Sequence, residues 1–67
     1  MINKILEIVR KELPSATIDT RITHVGSLAT IGVIMEIEDE FDIEIPDEAI
    51  DQVQTVGDIA VLVADRV

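Results

Sequence analysis

The sequence predicts an all-α fold, a small four-helix bundle of three main helices and one short one. Two stretches carry apolar residues at the 3.6-residue period of a helix packed on one side. They are Ile2, Ile5, Leu6, Val9 and Leu13 near the start, and Val56, Ile59, Ala60, Val63 and Val67 at the end. Pro14 and Pro46 punctuate the chain, and the one run that alternates like a strand has no partner to pair with. A chain of 67 residues makes a single domain, residues 1–67, with a small core.

The first helix is expected to run up to Pro14, because the residue before a proline disfavours helical geometry. Glu7 and Lys11 stand at the i, i+4 spacing that pairs across one turn of its outer face. Residues 14–26 show no sustained period and contain Pro, Ser, Thr, Asp and Gly, so they read as a loop, pinned to the core by Ile18 and Ile22. Its length is near the upper end of common connections, where loops are often functional.

The second helix spans Ser27 to Phe41, with Ser27 as its N-cap. "FDIEIP" then reads as an extended connector stopped by Pro46. Asp47 is placed to cap a short helix that ends near Asp51. Thr55 and Asp58 form a capping box at the start of the last helix.

Charge narrows the classes of function. The net charge is −9, and none of the five Lys and Arg lies between Ile22 and Asp65. Nine of the fourteen acids fall between Glu36 and Asp51, so the second half presents an acidic surface suited to a basic protein partner. Nucleic acid is not expected as a partner, because phosphate neutralisation needs clustered cations. The N-terminal stretch is broken by Lys4, Glu7 and Arg10 and does not read as a secretory signal. No apolar run reaches the ~20 residues of a membrane span, and the expectation is a cytoplasmic monomer. There are no cysteines, which excludes disulfides and thiolate metal sites.

The second helix has two apolar faces. At ~100° per residue, Val33, Ile34, Ile37 and Phe41 gather on one side, and Leu28, Ile31 and Met35 on roughly the opposite one. A helix at the edge of a bundle needs only one such face. Either the loop of residues 14–26 covers the second stripe, or the stripe is a partner contact flanked by Glu36, Asp39 and Glu40.

Other motifs carry less. The acidic run "EIEDEFDIEIPDE" lacks the glycine that an EF-hand loop needs at its sixth position. His24 and Ser27 lie close in sequence, but nucleophilic catalysis also needs an orienting group and an oxyanion hole, and a chain this short has little room for a deep cleft. No glycine spacing fits a dinucleotide or phosphate loop. The chain is not expected to be an enzyme.

Taken together, "GSLATIGVIMEIEDEFDIEIPDE" and the "T-V-x-D" opening of the last helix resemble the acyl carrier protein family. The match runs without gaps from Ser27 to about Val56, and helix order and length agree over the whole chain. The resemblance implies a four-helix bundle of the acyl-carrier type that is not itself an enzyme. It implies 4′-phosphopantetheine attached to Ser27 by a phosphopantetheinyl transferase, with acyl groups held as thioesters on the cofactor's thiol. It also implies partners such as acyl-ligases, ketosynthases or acyltransferases with basic docking surfaces, in fatty-acid, lipid or polyketide-type biosynthesis.

The chain departs from the family pattern around that serine. Gly26 replaces the acid of the usual D-S-L, and Ala29 and Gly32 stand where acids are usual. The preceding loop is shorter and lacks the usual "LG". These departures point to a specialised member whose acidic contact surface is displaced towards Glu36, Asp39, Glu40, Glu44 and Glu48. An aminoacyl or peptidyl carrier is an alternative, and a cofactor-free helical interaction module, with Ser27 only a cap, is another.

Overall fold

A computed structural model describes the backbone of residues 1–67 and every side chain except that of Ser27. Among the described residues there are four α-helices: α1 (Ile2–Val9), α2 (Ser27–Phe41), α3 (Asp47–Ile50) and α4 (Val56–Arg66). A single 3₁₀ turn, Ile22–His24, lies in the long connection between α1 and α2. The three main helices and the short one are those the sequence predicts.

The core forms where three apolar stripes meet. Ile5, Ile8 and Val9 of α1 pack with Val33, Ile34 and Ile37 of α2 and with Val56, Ile59 and Val63 of α4. Ala16 of the loop and Ile45 of the connector complete it, both buried. Each large side chain removed from water contributes roughly 1.5–3 kcal/mol, which makes this cluster the main support of a small domain.

The helix α1 stops earlier than Pro14 demands. It ends at Val9, and Lys11, Glu12 and Leu13 continue as turns whose amides return to Ile8 and Val9. The tightening lets Arg10 donate from Nε to the carbonyl of Ala16 at 2.8 Å, turning the chain back onto the core. The expected Glu7–Lys11 pair does not form. Glu7 meets Lys4 at 3.8 Å, and Lys11 reaches across to Glu36 on α2.

Ile22 packs against the core as expected, but Ile18 is 47% exposed. The backbone of Ile18 makes the anchor instead, its carbonyl accepting from Gly57 N at 2.8 Å. Val67, expected on the inner face of α4, is exposed beyond the last turn.

The N-caps of α2 and α3 each lie one position before the expected residue. Gly26 is the N-cap of α2 and Ser27 its first residue; Pro46 is the N-cap of α3 and Asp47 its first residue. At Pro46 the fixed φ suits the extended cap geometry, and Asp47 then places its charge in the positive first turn. The Thr55–Asp58 capping box of α4 is present in both directions. The connector after α2 is extended as expected. Asp42 ends the helix at φ 53°, and its amide and that of Ile43 both return to the carbonyl of Glu38.

Candidate functional site

The first turn of α2 gathers the residues singled out in the sequence. Gly26 precedes it at φ 94° and ψ 153°, a region open to glycine and strained for every L-residue. This is why the N-cap is Gly26 and not Ser27: the chain swings into the helix one residue earlier than a serine cap would. The carbonyl of Gly26 accepts from the Thr30 amide at 2.9 Å and from Thr30 Oγ1 at 2.6 Å, which closes the first turn.

The first turn holds no acid, and among the described residues no side chain caps its amides. The first amides and the positive end of the helix dipole thus have no acid within the turn to compensate them. Gly26 is exposed, with open space where a Cβ would stand. A helix start with no acid of its own suits a phosphodiester in charge. The hydroxyl of Ser27, expected to carry that group, belongs to the one side chain outside the described residues; its backbone is the first residue of α2.

The second apolar stripe is not covered by the loop. Leu28 is 87%, Ile31 58% and Met35 60% exposed. Of the two readings open in the sequence, the structure therefore leaves the stripe in solvent. Glu36, Asp39 and Glu40 are exposed on the same helix. They are not equivalent, because Lys11 Nζ binds Glu36 Oε2, and that hydrogen bond first, then the carboxylate's charge, hold the Lys11 ammonium above its ordinary pKa.

Beside the stripe runs a groove of ≈ 530 Å³ between α2 and α3. Ile31, Ile34 and Met35 form one wall, and Ile45, Pro46 and Ile50 the other. Thr30 lies at the end nearest the first turn, one helical turn from Ser27. Glu38, also in the lining, accepts at Oε2 from the Ile45 amide at 2.7 Å and so holds the connector wall in place. Sequence reasoning missed this role because Glu38 is one acid among nine in the run. Its register, seven residues before a buried isoleucine, marks it only once the connector's path is known.

Comparison with known proteins places these features. Residues 2–63 match the family model described as the phosphopantetheine attachment site. The chain belongs to this family. Its model describes the site at which phosphopantetheine is attached, and proteins named as acyl carrier proteins are among those this chain resembles. A 40-residue segment is 48% identical to an acyl carrier protein of Phenylobacterium zucineum (strain HLK1), covering 60% of this chain and 51% of that one. Another match is 45% identical over 40 residues to an acyl carrier protein of Caulobacter vibrioides (strain NA1000 / CB15N), covering 60% of this chain and 51% of that one. A probable acyl carrier protein of the same strain is 49% identical over 41 residues, which is 61% of this chain and 48% of that one. The matched segment spans about half the length of these relatives. No helix among the described residues is long and apolar enough to cross a membrane.

Proposed function

We propose that this domain is an acyl carrier whose 4′-phosphopantetheine is attached as a phosphodiester through Ser27, the first residue of α2. The observation that carries the reading is the start of that helix: a family attachment domain with a serine at the first helical position, no acid in the first turn and no side-chain cap among the described residues. When bound, the group supplies a flexible arm ending in a thiol that holds acyl groups as thioesters. The chain's own residues do the rest. First-turn amides hold the phosphate charge. The apolar groove between α2 and α3 begins one turn away and offers an acyl chain shelter from water.

Partner enzymes are read from the surface. A phosphopantetheinyl transferase and acyl-ligase, ketosynthase or acyltransferase-type enzymes would meet the open stripe of Leu28, Ile31 and Met35 with apolar contacts. Basic side chains of theirs would meet Asp39, Glu40, Glu44 and Glu48. With Gly26, Ala29 and Gly32 uncharged, the electrostatic contact lies two turns or more beyond the serine, which suits a specialised biosynthetic pathway and a cytoplasmic carrier acting as a monomer.

The test pairs wild type with Ser27→Ala, each incubated with a fluorescent coenzyme A derivative and a broad-range transferase. Wild type becomes labelled; the variant stays folded by circular dichroism and unlabelled. A cofactor-free module, with Ser27 serving structure alone, would leave both unlabelled.

A further inference from the structure

The residue that delivers the serine need not lie beside it. The connection from α1 to α2 is laced to the start of α4 over a short, two-sided seam. Gly57 N donates to Ile18 O at 2.8 Å, Val56 N to Thr20 O at 3.0 Å, and Ile22 N to Gln54 O at 2.8 Å. Arg21 and Thr55 form an isolated antiparallel bridge between these bonds. The seam ends at Ile22, where the 3₁₀ turn begins, and that turn leads through Val25 and Gly26 directly to Ser27.

Two residues of α4 hold the seam's other side rigid. Asp58 Oδ2 accepts from Gln54 N at 2.9 Å and Thr55 N at 3.1 Å, while Thr55 Oγ1 accepts from Asp58 N at 3.3 Å. The carboxylate thereby fixes the segment 54–56 whose backbone pairs with the loop. Gly57 does the same by being small. A Cβ there would stand 3.1 Å from Ile18 O, tighter than an ordinary contact, and would press the loop away.

We propose that Asp58 and Gly57 are positioning residues for the attachment serine: through the seam 18–22 to 54–57 they set how the loop presents Ser27 to the transferase. The proposal rests on Ser27 being the attachment residue. A seam of three backbone bonds that is otherwise solvent-edged opens more readily than the core, so its integrity governs the loop before it governs the fold. Glutamate at position 58 completes the same capping arrangement and should stand in for aspartate.

The experiment compares wild type, Asp58→Asn, Gly57→Ala and Asp58→Glu, with Ile8→Val, buried on α1, as a control for lost core stability. Native-state hydrogen exchange reads the amides of Ile22 and Val56, and loading from coenzyme A by the broad-range transferase gives kcat/KM. Asp58→Asn and Gly57→Ala should lose protection at Ile22 and Val56 while Ile37 stays protected, and should load several-fold more slowly. Asp58→Glu and Ile8→Val should load at the wild-type rate. Retained protection at the seam in both Asp58→Asn and Gly57→Ala overturns the proposal. So does a loading rate unchanged in those variants, or one that Ile8→Val lowers equally. Failure of wild type to load at all would instead overturn Ser27 as the attachment residue, and the exchange data still decide whether the seam holds the loop.

Discussion

Lys11, in the turn after α1, bridges to Glu36 in the middle of α2. One of the three contact acids read from the sequence is thus already paired within the chain, while Asp39 and Glu40 have no such partner among the described residues. Charge reversal at Asp39 and Glu40 together should slow loading or acyl transfer at low salt and leave the fold intact. Glu36→Ala should have the smaller effect. The check is the salt dependence of kcat/KM; equal rates for wild type and the double variant at low ionic strength would remove these residues from the contact surface.

Gly26 should resist substitution by any L-residue, aspartate included. At φ 94° and ψ 153° an L-residue is strained by ~1–3 kcal/mol, whatever the space around it. Gly26→Asp and Gly26→Ala are both expected to lower stability by that amount in urea melts, the two falling together because the cost lies in the backbone. A neutral Gly26→Ala would show that the chain reaches α2 by another path.

Gly32 is the opposite case. It lies in the interior of α2, exposed, and a methyl group added there would meet nothing within 4 Å. Gly32→Ala should stabilise the domain by ~0.5–1 kcal/mol through helix propensity alone. The midpoint of thermal unfolding checks it, with a rise of several degrees expected for a domain this small.

Asp58 gives the fold an acid-sensitive contact. The amides of Gln54 and then Thr55 stabilise its carboxylate and lower its pKa from the ordinary aspartate value of 3.8. A depressed folded pKa means that its contribution is complete above about pH 4–5 and is lost as pH falls below 3.8 through the folded value. The stability difference between wild type and Asp58→Asn should therefore be constant near neutrality and shrink in that acid window. A difference that does not change with pH there would assign the effect to packing and not to charge.

The helices were legible because their causes are local. Apolar spacing, the prolines and the Thr55–Asp58 box each act within a few residues, and α2 covers the expected Ser27–Phe41 span with only its cap moved, from Ser27 to Gly26. The misplacements have long-range causes. Lys11 chose Glu36 over Glu7 because the turn after Val9 carries it off the face of α1. Ile18 is held by its carbonyl while its side chain stays out, a contact that depends on Gly57, thirty-nine residues away in sequence. The second apolar stripe of α2 was visible in the sequence, but whether a loop covered it was not, because that depends on the path set by the seam with α4. The serine itself was legible from the resemblance, and its position as first helical residue instead of cap followed only from the backbone of Gly26.

Whether Ser27 carries the cofactor is decided by peptide-level mass spectrometry of the loaded protein. After incubation with coenzyme A and a broad-range transferase, the intact chain should gain the mass of one phosphopantetheinyl group. Fragment ions should place that mass on Ser27 and leave Ser15, the other serine of the chain, unmodified. An intact chain that gains nothing, or a mass that maps to Ser15 or to a threonine, would contradict Ser27 as the attachment residue.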